Sequence, residues 1–271
     1  ALWAIYVSFT DLALSGPKAM NFKFIGLGNY IKLFGDDRFH HSLWLSLEYT
    51  FYTNLGQFIL GLSAALVLNR RKLRGQNFLL AVIVLPMVIP GITQALIWSS
   101  MLGAQGLGTL NRMIGLVGMA PVLWLRSAPL LSIVLVNFWN NSGFAMILFL
   151  AGLESIPKEI LESATIDGAN SWNRFIHITI PMLTPTIYFN LLLNIIGSFQ
   201  VFTQAQIMTD GGPNNATLTQ VLYLYHTGFV NFQFGYASAL AWALFLIIMI
   251  FTVLVMRSGE GWVHYEGDLK K

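Results

Sequence analysis

Tyr236-Ala237-Ser238-Ala239-Leu240-Ala241-Trp242-Ala243-Leu244-Phe245-Leu246-Ile247-Ile248-Met249-Ile250-Phe251-Thr252-Val253-Leu254-Val255-Met256 runs without one charged side chain. A helix rises about 1.5 Å per residue, so about 20 such residues cross a hydrocarbon core. Moving outward, comparable runs lie at about Leu43–Leu68, Phe78–Met101, Pro129–Leu153 and Thr184–Gln204. The opening Ala1-Leu2-Trp3-Ala4-Ile5-Tyr6-Val7 stays apolar only as far as Asp11, too short to cross. It reads as the outer half of a first helix that begins before this sequence. The expectation is an all-α membrane protein, a six-helix transmembrane bundle forming a single domain over residues 1–271.

Composition agrees. The chain is 55% hydrophobic and 10% charged, with mean hydropathy +0.64, whereas soluble domains carry about 25% charged residues. That is too little charge to clothe a water-facing surface. The formal charge of +3 and pI near 9.2 fit basic loops held against anionic lipid. No basic run interleaved with aromatics points to nucleic acid. Cysteine is absent, which excludes disulfides, thiolate metal sites and a cysteine nucleophile.

Loop charge gives a direction. Arg70, Arg71, Lys72 and Arg74 crowd one short turn, whereas the loop from about Ala205 to Gly235 holds neither lysine nor arginine. Positive residues concentrate on the cytoplasmic side. The Arg70 turn, the segment with Lys158 and Arg174, and the tail with Arg257, Lys270 and Lys271 are therefore read as inside, with both termini cytoplasmic. Lys18, Lys23, Lys32, Arg38, Arg112 and Arg126 are spread thinly over the outer segments. In the outer loop, Asp210-Gly211-Gly212-Pro213-Asn214-Asn215 carries turn chemistry.

Between the fourth and fifth spans lies an inner segment, about 154–181, with its own grammar. Ser155 and Pro157 signal a helix start. Ile156, Ile160, Leu161 and Ala164 recur at helical spacing, while Lys158, Glu159, Glu162 and Thr165 take the other side. Gly168 should stop this helix, and Asn170 should cap a second one, Ser171–Ile180, closing at Pro181. From periodicity alone this is either a stiff elbow in the cytosol or an amphipathic loop lying on the bilayer.

The order of residues adds a resemblance. Glu162-Ser163-Ala164, then Asp167-Gly168-Ala169, followed by Phe175 and Pro181, resembles the EAA signature of permease subunits in binding-protein-dependent ABC importers. Only Ser163 departs from the pattern, a small residue for a small one. Leu150-Ala151-Gly152-Leu153 before Ile156-Pro157, and Thr209-Asp210-Gly211-Gly212-Pro213 before Tyr223, Tyr225 and Phe229, resemble the carbohydrate-uptake branch, the maltose and glycerol-phosphate permeases. The likeness covers the C-terminal half; the N-terminal half matches in layout.

The resemblance implies that Glu162, Ser163, Ala164, Asp167, Gly168 and Ala169 form a coupling helix seated in a groove of a cytoplasmic ATPase dimer. That partner binds the ATP and magnesium, and this chain holds no cofactor. A second permease subunit, an extracytoplasmic solute-binding protein and a sugar substrate are implied as well. So are alternating access and a bacterial or archaeal inner membrane.

Polar side chains within spans are costly and face a bundle interior or a cavity. Asn137, Asn140, Asn141 and Phe144 fall at i, i+3, i+4 and i+7 of the fourth span. Asn190, Asn194 and Ser198 fall at i, i+4 and i+8 of the fifth. Amides both donate and accept, and an aromatic can cover the apolar face of a sugar ring. The set suits a neutral, hydroxyl-rich solute near midplane. Equally, the amides could tie helices together. In the maltose-type branch substrate contacts come from these same regions, so the resemblance favours binding.

Other chemistry is thinly represented. Glu48 is the one obvious acid in a span, near its end. His40-His41 has no further ligand at metal spacing. No nucleophile elbow, zinc-protease motif or phosphate-cradling loop occurs. The expectation is therefore no enzyme activity in this chain, and import of a sugar driven by a separate ATPase. The alternative is an ion-coupled carrier or channel, and a polyol or glycerol phosphate could replace the sugar. A phosphorylated solute would want midplane cations, which the spans do not show.

Overall fold

The computed structural model describes residues 2–14, 22–69, 74–103 and 108–263. In chain order the helices are α1 (Leu2–Ser8), α2 (Gly28–Phe34), α3 (Asp37–Leu68), α4 (Gln76–Val88), α5 (Gly91–Leu102), α6 (Thr109–Gly115) and α7 (Trp124–Ser127). There follow α8 (Pro129–Ser155), α9 (Lys158–Ile166), α10 (Ser171–Arg174), α11 (Ile180–Phe199), α12 (Thr203–Thr209), α13 (Gln220–Tyr225) and α14 (Phe234–Trp262). Among the described residues the only β pairing is an isolated bridge, Thr10 to Phe24. The fold is all-α, as expected. Arg70, Arg71, Lys72, Lys18, Lys270 and Lys271, on which the direction was partly read, lie outside the described residues.

Among the described residues four helical stretches are long and apolar enough to cross a membrane: Asp37–Leu68, Pro129–Ser155, Ser171–Phe199 and Phe234–Trp262. The expected straight span Phe78–Met101 is instead a bent pair, α4 and α5, meeting at 103°. Proline explains the break. Pro90 has no N–H to continue the ladder and pushes its predecessor out of the helical region; Ile89 sits at φ −77°, ψ 130°. Counting the pair as one gives at most five crossings among the described residues.

A second correction concerns Pro181. The helix expected to close there does not. Ser171–Phe199 runs on as one 29-residue candidate span through a π turn at Phe175–Thr179. The wider turn reorganises the carbonyls below Pro181, as π-bulges do. Pro185 leaves the Pro181 carbonyl without its usual amide, and the Thr184 hydroxyl donates to that oxygen instead (2.7 Å).

By contact density the chain divides into two units, one made of residues up to 51, 91–136 and 196–251, the other of 52–90, 137–195 and those from 252 onward. In the first, α5 packs on α12. Asn29 joins the chain around α1 by donating to the carbonyls of Ser8 and Thr10 (both 2.8 Å). Asn111 clamps the start of α7: its Nδ2 donates to the Val122 carbonyl (2.8 Å), and its Oδ1 accepts from Trp124 Nε1 (3.0 Å).

The second unit has a core of Leu62, Ala65, Leu68, Met146, Phe149 and Leu183, drawn from α3, α8 and α11. Lipid supplies no hydrophobic drive between helices, so small residues that permit close approach carry the packing. At Gly143 the close neighbour is backbone, and a β-carbon there would stand 2.5 Å from the Ile83 carbonyl oxygen of α4. Gly143→Ala should cost about 1–3 kcal/mol through overpacking, read as a lowered melting temperature of the detergent-purified protein. An unchanged melt would show that α4 is free to move away.

Candidate functional site

The elbow is built by local rules. Pro157 stands at the N-cap of α9, and the helix ends in a Schellman motif. There the Gly168 amide donates to the Thr165 carbonyl (3.1 Å) and the Ala169 amide to the Ala164 carbonyl (2.9 Å). Gly168 takes φ +83°, the left-handed region that side-chain-bearing residues avoid. Asn170 caps α10, its Oδ1 accepting from the Asn173 amide (2.8 Å). The Arg174 guanidinium reaches back to the Thr165 hydroxyl and to Ser171 Oγ (3.3 Å for the latter), bracing one arm on the other.

No residue of α9 is buried. Glu162, Ser163, Asp167 and Gly168 are exposed, and Ala164 and Ala169 half-exposed. Ile156 and Leu161, from the expected apolar face, pack on the core of the second unit. Two apolar side chains point away: Ile166 is 86% exposed and Trp172 68%. Neither stood out in the sequence, because Ile166 falls off the amphipathic face and Trp172 lies past the glycine. The arm α10 is continuous with α11 through the π turn.

The midplane residues do not behave as one set. Gln57 Nε2 donates to Asn137 Oδ1 (2.6 Å), tying α3 to α8. Asn190 Nδ2 donates to the Ala145 carbonyl (3.3 Å), tying α11 to α8, and Asn194 Nδ2 donates to Asn190 Oδ1 (2.7 Å) within α11. Asn137 and Asn190 are in the arrangement of helix ties, and Asn194 supports the second of them. Ser198 is buried, while Asn141 and Phe144 are exposed on the flank of α8. Asn140 differs from all of them: it is 3% exposed, and among the described residues neither amide atom has a hydrogen-bond partner. Leaving such atoms unpaired costs about 1–3 kcal/mol. Gln57, unremarked in the sequence, could have been found as a polar interruption in an apolar run.

In the first unit a carboxylate gathers three elements. Asp36 Oδ1 caps α3, accepting from the amides of Arg38 (2.9 Å) and Phe39 (3.4 Å). Its Oδ2 accepts from the hydroxyls of Tyr223 and Tyr236. Lys32 Nζ lies 4.1 Å above the Tyr236 ring, a cation–π contact. Burial alone would raise the Asp36 pKa, but the hydroxyl and amide donors outweigh it and hold the carboxyl below its ordinary value. Burial, and then the bond to Asp36, push the Tyr223 phenol up to about 12.

The chain thus carries several membrane-length helices, one of them continuous with the exposed elbow. The comparisons name its family. Residues 57–260 match the family described as "Binding-protein-dependent transport system inner membrane component", and the chain belongs to it. Curated relatives include "Probable ABC transporter permease protein YesP" of Bacillus subtilis (strain 168), 36% identical over 97% of this chain and 85% of that protein. The trehalose/maltose transport system permease protein MalF of Thermococcus litoralis is 33% identical over 88% of this chain and 80% of that protein. The fold matches a bacterial ABC transporter involved in the import of the acidic polysaccharide alginate, with TM-score 0.80, 22% identity, and coverage of 94% of this chain and 87% of that one. The chain is thus a multi-pass membrane protein among the carbohydrate-uptake permeases of ABC importers.

Proposed function

We propose that this chain forms one half of the membrane pathway of an ATP-driven sugar importer, paired with a second permease subunit and served by an extracytoplasmic binding protein. A cytoplasmic ATPase dimer, holding the ATP and magnesium, grips the elbow formed by Glu162, Ser163, Ala164, Asp167, Gly168 and Ala169. Both termini then face the cytosol. Closure of that dimer moves the elbow and tilts α11, opening the pathway first to one side and then to the other. The observation that carries this reading is the fusion of the elbow to the span. Ile166 and Trp172 lie bare on an elbow braced by the Schellman motif, the Asn170 cap and Arg174, and α10 enters the membrane helix without a break. Displacing the elbow must therefore displace the helix. Family membership supports this reading over the ion-coupled alternative.

For the solute, the residues to weigh are Asn137, Asn140, Asn141, Phe144, Asn190, Asn194 and Ser198. Asn140 is the best candidate, since its amide spends no hydrogen bond on the described residues. In Asn140→Leu, the solute-stimulated ATPase activity of the reconstituted complex should fall about 10-fold, the worth of roughly one hydrogen bond at 1.4 kcal/mol per decade. The melting temperature should hold or rise, because a leucine leaves no buried amide unpaired. An undiminished solute response would sink the assignment, and a lowered melt with that response intact would make Asn140 a helix tie.

A further inference from the structure

At the Arg257 end of α14 lies a cleft of about 620 Å³ lined by Tyr188, Val253, Met256, Arg257 and Glu260. This volume is in the range of small-molecule sites, about 300–1,000 Å³. Neither the elbow nor the midplane amides use it.

Its chemistry changes along its length. Val253 and Met256 belong to the uncharged run that ends at Arg257, so the boundary between hydrocarbon and headgroups falls inside the cleft. Tyr188 lies directly on the α14 backbone: a β-carbon at Gly259 would meet its ring at 2.7 Å. The Trp262 ring meets Tyr188 edge-on at 6.2 Å. Two aromatics at this level are the belt that membrane proteins place at the interface.

Arg257 and Glu260 both line the cleft three residues apart on α14, a spacing that sets side chains about 5–6 Å apart at Cβ. Both are exposed, and among the described residues neither is in an ion pair. A cation alone would mark a site for anionic headgroups, as basic pockets between membrane helices do. The acid beside it disfavours a purely anionic group and offers an acceptor for an ammonium.

We propose that this cleft binds a zwitterionic aminophospholipid, with the phosphate on Arg257, the ammonium on Glu260 and an acyl chain along Val253 and Met256. The occupant is a lipid rather than a soluble headgroup, because half of the wall is apolar and continuous with the span.

Native mass spectrometry of the full chain, in the complex with which it purifies, tests this. After delipidation the protein is titrated with phosphatidylethanolamine and, separately, phosphatidylglycerol of matched chains. The wild type should retain phosphatidylethanolamine at least 5-fold over phosphatidylglycerol. Glu260→Gln should erase or invert that preference, and Arg257→Gln should lose both lipids. Both positions are exposed, so assembly of the complex serves as the folding control. Equal retention of the two lipids by the wild type, or a preference that neither substitution moves, would overturn the proposal. So would displacement of the bound lipid by chain-free glycerophosphoethanolamine at equal concentration.

Discussion

Gly168→Val is expected to reduce solute uptake at least 10-fold while the subunit still inserts and assembles. Among the described residues a β-carbon at Gly168 would meet nothing within 4 Å, so room for the β-carbon is not the obstacle. The penalty lies in the backbone. At φ +83° an ordinary L-residue pays about 1–2 kcal/mol, and a β-branched one is a genuine outlier. The Schellman bonds of Gly168 and Ala169 hold only with that dihedral, so valine would let α9 swing away from α10. A shift of that size changes the population of the correctly shaped elbow by a factor of about 5–30. Asparagine visits the left-handed region more readily, so Gly168→Asn should keep most of the uptake. Uptake and basal ATP hydrolysis in proteoliposomes separate the two. Full uptake by the valine variant would mean that the elbow's shape is not what transmits force.

The second large effect concerns stability. Asp36→Ala removes the cap of α3, worth about 1 kcal/mol, and strands a buried tyrosine hydroxyl, worth about 1–3 kcal/mol more. A loss of about 2–4 kcal/mol is therefore expected, visible as a lower melting temperature in detergent. Asp36→Asn should cost less, since its carbonyl oxygen can still accept. The pH dependence follows from the directions of the shifts. Asp36 titrates below its ordinary value of 3.8 when folded, so its contribution is present above that value and is lost as pH falls through the lower, folded one. Tyr223 is raised to about 12 from 10.0; its contribution is complete below 10 and is lost as pH climbs through 12. Between pH 5 and pH 9 this cluster should leave the melt unchanged. A melt that moves steeply within that window and flattens in Asp36→Ala would contradict this.

Much of the architecture could be read in one dimension. Leu43–Leu68, Pro129–Leu153 and Tyr236–Met256 announce α3, α8 and α14, because crossing a bilayer requires a continuous apolar run and little else. The elbow was equally legible, down to Gly168 and the Asn170 cap, since capping is settled among residues a few positions apart. Prolines were read less well. Pro90 breaks a span that looked straight, and Pro181 sits within a helix that looked finished there, continuous with the span that holds Pro185. A proline's effect depends on whether a π turn, a hydroxyl or another helix takes up the freed carbonyl.

Sequence by itself therefore determined what each segment is: membrane helix, exposed elbow, member of the importer permease family. Tertiary structure decided which polar groups are spent and which are held in reserve. Asp36 finds its tyrosines 187 and 200 residues away, and Gln57 finds Asn137 80 residues away. No spacing rule reaches so far. Hydrophobic continuity and capping are written along the chain, whereas a hydrogen bond between helices exists only once packing has brought its two ends together.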